Sequence, residues 1–215
     1  MADPKDRKYV VITGDIIKSR EINTADLLEN IPGYLSQINT KYNPLSHFRI
    51  AAGDEIQGLV KPSSAPFRLL LDTSGMFYPM KVKFGIGYGS ISTDIKENVG
   101  QMRGEAFESA RNALNSLRSN RVLFKIEGEH PAIDSMNTIL MLFCSIVSSW
   151  NELVYRRYQL YSQSGSVHKV AEAENVSAEA INKHLNVHSV REIISAVKFL
   201  DRLIAAKYQP SGVDI

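Results

Sequence analysis

The stretch Phe48-Arg49-Ile50-Ala51-Ala52-Gly53-Asp54-Glu55-Ile56-Gln57-Gly58-Leu59-Val60 reads as strand, turn and strand. Phe48, Ile50 and Ala52 share one face of the first run by period-two alternation, and Ile56, Gly58 and Val60 do the same in the second. Gly53-Asp54-Glu55 makes the turn and lifts Asp54 to the tip of a hairpin. Upstream, Tyr9-Val10-Val11-Ile12-Thr13-Gly14-Asp15 has the β-branched density of a buried strand and also ends on a carboxylate. Two strand ends can therefore set two acids side by side. Like charges so placed repel unless a cation lies between them. Mg²⁺ takes one or two carboxylates together with water and phosphate oxygens, so the pattern points to a nucleotide-phosphate site. Each acid also has a plainer use, since an Asp at a hairpin tip closes its own turn and Asp15 can cap the segment after it.

The chain of 215 residues is 44% apolar, enough for a substantial core in one large or two small domains. A net charge of +2, from 25 basic and 23 acidic residues, gives no broad electrostatic case for nucleic acid or membrane. Cys144 is the single cysteine, which excludes an intrachain disulfide and fits a reducing, cytoplasmic setting. Met1 to Lys8 is polar rather than a signal core, and the longest apolar run, Ile139 to Val147, falls short of a span. No membrane association is expected.

After the first strand, a helix is expected from about Thr24 to Tyr42, with a kink or split at Pro32-Gly33. The hairpin follows, then a helix over about Ala65 to Phe77 and a strand over Met80 to Ser90. In that strand Val82, Phe84, Ile86 and Tyr88 occupy one face, while Lys81, Lys83, Gly85, Gly87 and Gly89 occupy the other. A bare glycine face admits close approach of either a ligand or a packed helix. Gln101 to Asn120 reads as a helix, Arg121 to Glu127 as a strand, and Pro131 to about Tyr161 as one long amphipathic helix. The expected division is 1–130, a nucleotide- and metal-binding unit, and 131–215, a connecting helix with a small helical domain. Crossover helices, an acid after the first strand and another at a hairpin tip make the first unit an α+β, palm-like sheet with helices on one face.

Four motifs, Asp15-Ile16-Ile17-Lys18-Ser19-Arg20, Gly53-Asp54-Glu55-Ile56-Gln57-Gly58, Gly85-Ile86-Gly87-Tyr88-Gly89 and Gly104-Glu105-Ala106-Phe107 with Arg111, resemble the SatD family of small bacterial proteins. The similarity covers almost the whole chain. More distantly, the order is similar to class III nucleotide cyclases and GGDEF-type diguanylate cyclases, which implies a ferredoxin-like, nucleotide-cyclase-like sheet. It also implies that Asp15 and Asp54, with the Ile16 carbonyl, are metal ligands for Mg²⁺ under a nucleotide. Ser19, Arg20, Gly53, Glu55 and Arg111 are the candidate nucleotide or phosphate contacts, Glu55 serving as a third acid or a general base. Two departures weaken the implied turnover. Glu108 stands where the cyclases carry a transition-state asparagine, and Arg111 falls one residue short of their arginine. Ala52 also replaces one glycine of the GGDEF motif.

In the second half, Val167, Val170, Ala171, Ile181 and Leu185 outline two short helices across an Asn175-Val176-Ser177 turn. Asn175 tolerates a left-handed conformation and Ser177 can cap the second helix. The spacing resembles bacterial helix-turn-helix regulators, which implies DNA contacts from Ser177, Ala178, Asn182 and Lys183, with Asn182 reading a base. Acidic residues match the basic ones there, so DNA affinity would need dimerisation or help from Arg156 and Arg157. A final helix, about Ser189 to Ala206, has an apolar face that can close the domain or pair two chains as a homodimer. The five histidines show no metal-ligand spacing apart from His184 and His188. Two functions fit these residues: a Mg²⁺-nucleotide-responsive regulator of transcription, or a metal-dependent nucleotidyl cyclase or transferase. A scaffold for protein interactions is the bland third.

Overall fold

The computed structural model describes residues 7–17, 29–53, 55–119 and 122–206. Strands β1 (Tyr9–Ile16), β2 (Ser46–Ala52), β3 (Glu55–Val60), β4 (Val82–Gly89) and β5 (Phe124–Gly128) form one mixed sheet in the order β2-β3-β1-β4-β5. The first four strands are antiparallel, and β5 joins β4 in parallel. Helices α1 (Ile31–Tyr42) and α2 (Pro66–Phe77) make the two crossovers, giving a β-α-β-β-α-β unit of ferredoxin-like order. Helix α3 (Glu105–Ser116) links β4 to β5, and α4 (Ile133–Val147), α5 (Glu152–Ser164), α6 (Val167–Glu174), α7 (Ala178–Val187) and α8 (Val190–Ala205) follow. The protein is therefore α+β, as its strand and helix periods predict.

Alternation divides the sheet into two faces. Val10, Ile12 and Ile16 of β1 join Val82, Phe84 and Ile86 of β4 in a large core that also takes in Leu35, Leu70, Leu140, Tyr158 and Leu200. Residues of 1–130 and 131–215 thus share one apolar cluster. The opposite face carries Val11, Leu59, Val99, Met102, Ala106 and Ala110. Helices occupy both faces, not one. The glycine stripe of β4 is the reason: a Cβ on Gly85 would lie 2.1 Å from the Ala110 carbonyl oxygen, and one on Gly87 would lie 1.9 Å from that of Ala106. The stripe receives the main chain of α3, so the open alternative between ligand and helix resolves to a helix.

Two other expectations are settled. Helix α1 begins at Ile31 with Pro32 in its first turn, where the missing N–H has no intrahelical role; Glu29 is helical and Asn30 a turn, so the chain takes the split expected near Pro32-Gly33 and not the kink. The residues around Thr24 lie outside the described ones. The helix expected over 131–161 is two helices, α4 and α5. Trp150 turns into the core between them, its indole donating to the His188 carbonyl at 3.0 Å, and Asn151 caps α5 by accepting from the Val154 N–H.

Helix α2 is tied to the C-terminal helices at both ends. Asp72, 2% exposed, accepts from Lys41 Nζ at 2.5 Å, Tyr42 Oη at 2.6 Å and Tyr158 Oη at 2.7 Å. Burial and the adjacent carboxylate push both phenols far above their ordinary range. At the other end, Asp201 of α8 accepts from the Phe67 N–H at 2.8 Å, satisfying a first-turn amide that α2 cannot cap itself. Burial pushes the Asp201 carboxyl up to about 6, against the opposing pull of the Phe67 and Arg68 amides and the Arg68 charge.

Gly87→Ala should cost about 3 kcal/mol by overpacking, whereas Gly33→Ala, with nothing within 4 Å of the added methyl, should gain about 0.5 kcal/mol. Urea unfolding of the two variants reads both. For Asp201, the folded-state value lies above the unfolded one of about 3.9, so the folded protein takes up the proton first. Wild-type stability should then fall as pH rises from about 4 to about 7, by roughly 2 kcal/mol relative to Asp201→Asn, and be flat above. Unfolding midpoints across that window, compared with Asp201→Asn, give the slope directly.

Candidate functional site

Asp15 stands one residue from the end of β1, on the face that α3 covers. Register places it opposite Glu55 of β3 on one side and Lys83 of β4 on the other. Directly opposed residues in antiparallel strands lie about 5 Å apart at Cα, so two carboxylates share one edge of the sheet. Glu55, with a side chain 20% exposed, accepts from Arg111 Nη2 of α3 at 3.1 Å. Lys83 donates its Nζ to the Leu117 carbonyl just past the end of α3, at 2.9 Å. Across the rim Lys83, Asp15 and Glu55 therefore follow one another, and Arg111 reaches Glu55 from α3.

Beneath the rim, Thr13 and Gln57 are both buried, and Gln57 Nε2 donates to Thr13 Oγ1 at 3.0 Å. Val11 and Leu59 follow, one pair further in. Polarity fades along the strands within four residues, so only the rim faces water. This is why Asp15 and Glu55 are tolerated: each is held at an end of the sheet, beside a cation, with the apolar face starting only past the Thr13–Gln57 pair.

Of the residues expected to bind metal, Asp15 takes its place on this rim and Ile16 sends its side chain into the large core on the opposite face. Asp54 lies outside the described residues, as do Lys18, Ser19 and Arg20. Gly53 occupies the exposed turn with φ +59°, the left-handed conformation that favours glycine. Glu55, expected in the turn, is the first residue of β3, and register puts it opposite Asp15. Arg111 reaches Glu55 despite its shifted position in the helix. Lys83 was missed as a site residue: alternation sets it with the glycines, but only the strand order sets it beside Asp15.

Among the described residues no three His, Cys, Asp or Glu side chains gather around one point fit for a metal ion. Asp15 and Glu55 nonetheless offer hard carboxylate oxygens in the number Mg²⁺ takes alongside phosphate and water. The donor chemistry fits that ion and not a thiolate- or imidazole-seeking one.

In the C-terminal helices, Asn175 is left-handed at φ 54°, and Ser177 accepts from the Ala180 N–H to cap α7, both as the spacing predicts. Ala178, expected on the exposed side, is half-buried and packs against the core, because the cap turns the first residue of α7 inward. Asn182 is exposed, yet its Oδ1 accepts from Arg191 Nη2 at 2.8 Å. Arg191 also bonds Asn186 and lies over the Tyr161 ring at 5.3 Å. Arg156 and Arg157 both donate to Glu174, at 2.9 and 2.7 Å. Lys183 is exposed. The His184 and His188 rings meet at 4.5 Å between centroids, tilted by 50°, and Cys144 is buried with its thiol pushed up by that burial. No described helix is long and apolar enough to cross a membrane.

Comparison with known proteins gives three results. No curated protein matches the chain. Among solved structures, a bacterial light-regulated adenylyl cyclase is 13% identical over 56% of this chain and 43% of its own, at TM-score 0.45. The catalytic core of a rhodopsin-guanylyl cyclase with converted specificity, in complex with ATPαS, is 15% identical over 51% of this chain and 72% of its own, at 0.39. A regulator of polyketide synthase expression from Bifidobacterium adolescentis is 11% identical over 91% of this chain and 85% of its own, at 0.26. The chain spans less than half the length of the adenylyl cyclase, and likenesses at these scores carry no inference about activity. The family model described as SatD family matches residues 9–204, nearly the whole of the two segments whose motifs and geometry are set out above, and the chain belongs to that family.

Proposed function

We propose that the protein is a nucleotide-responsive regulator whose sheet rim binds a nucleotide polyphosphate with Mg²⁺ and whose α6–α7 pair passes the bound state to DNA. The observation that carries the first part is the register of Asp15 against Glu55, with Lys83 and Arg111 flanking the two acids. Asp15 and Glu55 would hold the cation, joined by Asp54 and the Ile16 carbonyl. Arg111 and Lys83 would meet phosphate oxygens, with Ser19, Arg20 and Gly53 as further contacts. Bound Mg²⁺ would neutralise phosphate charge there. Glu108, an acid on α3 where the cyclases place an asparagine, speaks for binding without turnover. The active alternative, a nucleotidyl cyclase or transferase, would release pyrophosphate from a triphosphate and lose that release in Asp54→Ala.

For the second part, the support is the α6–α7 backbone, with its left-handed Asn175 and capped α7. Its charge limits it. Arg156 and Arg157 are paired with Glu174, which leaves Lys169 and Lys183 as the exposed cations of the pair. A homodimer would double that number.

Calorimetry with purine nucleoside triphosphates and Mg²⁺ should show binding to the wild type and at least a tenfold loss in Asp15→Asn. Absence of heat with any of them, in a folded sample, would remove the nucleotide reading. On duplex DNA, two phosphate contacts per chain predict a slope of log affinity against log salt of about −2. A gel or anisotropy titration at several salt concentrations measures it, and no binding even at low salt would remove the DNA reading.

A further inference from the structure

We infer that Arg111 is a latch shared between Glu55 and the ligand, so that Mg²⁺ and a polyphosphate bind together and each binds poorly alone. The inference rests on the Mg²⁺–nucleotide reading of the rim and names how that site discriminates its ligand. Its basis is the resting pairing at the rim: the Glu55 carboxylate is already engaged by Arg111 at 3.1 Å, and Lys83 stands opposite Asp15 in register.

A divalent cation arriving alone must take Glu55 from Arg111. It then leaves a freed guanidinium beside the new positive charge. A polyphosphate arriving alone meets the reverse problem, because Arg111 cannot turn to it without abandoning a Glu55 that is four-fifths buried. Together the two ligands exchange partners: carboxylate to metal, guanidinium to phosphate, with charge balanced at each step. The guanidinium has the freedom to make that move. Its side chain is 62% exposed on α3, and the helix itself is fixed by Ala106 and Ala110 against the β4 glycines, so only the side chain swings. Its planar fork suits two phosphate oxygens at once, which a lysine does not match. The site therefore selects ligands with at least two phosphate charges near the metal. A cyclic mononucleotide, with one, leaves the exchange unbalanced.

The experiment is calorimetry on the full chain with magnesium chloride alone, pyrophosphate alone, and pyrophosphate at saturating magnesium. The wild type should bind Mg²⁺ weakly by itself and about tenfold more tightly with pyrophosphate present. Arg111→Ala, an exposed helix position, should bind Mg²⁺ alone about five- to tenfold more tightly than wild type and lose most of the gain from pyrophosphate. Glu55→Gln, which releases the arginine without removing it, should bind pyrophosphate more tightly in the absence of Mg²⁺. If the wild type binds both ligands while Arg111→Ala leaves the Mg²⁺ affinity and the coupling unchanged, the latch is wrong and the nucleotide site stands. If the folded wild type takes up neither pyrophosphate nor purine nucleotides with Mg²⁺, the nucleotide reading fails and the latch goes with it.

Discussion

A helix can lay its main chain on a strand only where the strand has no side chains to hold it away. Gly85, Gly87 and Gly89 provide that on one face of β4, while Val82, Phe84 and Ile86 build the large core on the other. Helix α3 answers with Ala106, Ala110 and Ala113, all buried. Neither side of the seam can grow by a methyl without moving backbone. The seam therefore fixes both the height of α3 above the sheet and its rotation, and Arg111, next to Ala110, is aimed sideways across β1 at Glu55. Lys83 meets the end of the same helix at Leu117. The cations that compensate the two acids are both positioned by one close contact.

The C-terminal helices are not a separate appendage in packing. Asp72 collects hydrogen bonds from α1 and α5, and Asp201 caps α2 from α8, so α2 is one of the parts through which the sheet and the α4–α8 helices hold each other, beside α4, whose Asn137 pairs with the Ile126 backbone of β5. A buried carboxylate with three donors is costly to disturb in part, since removing one donor leaves the charge less compensated while the others stay buried. Helix α1, which follows the segment after Asp15 and ends at Lys41 and Tyr42, contacts this network directly.

Much of this was legible in the residues. Period-two alternation over Phe48 to Val60 and Tyr9 to Asp15 identifies three strands, and the turn at Asn175 and the cap at Ser177 follow from residue type. Periodicity exposes the bare face of β4 but is silent on what covers it, because a helix backbone and a ligand both need the same space. Asp54, the expected partner of Asp15, lies outside the described residues; pairing sets Glu55 opposite Asp15, and where a strand begins to within one residue is beyond what alternation resolves. The break between α4 and α5 was hidden because 133–147 and 152–164 are both helical in composition, and the residue that parts them, Trp150, acts through its burial. The engagement of Asn182 by Arg191, nine residues on, is tertiary and leaves no local trace.

On the proposed reading, the functional end of this molecule is the rim where Asp15, Glu55, Lys83 and Arg111 meet. Mn²⁺ in place of Mg²⁺ broadens the NMR signals of nearby amides and so locates the cation without assuming its ligands. With pyrophosphate present, broadening is predicted for Asp15, Ile16, Gly53, Glu55 and Lys83, with α6 and α7 unaffected. Broadening centred elsewhere, or spread evenly over the acidic surface, would contradict it.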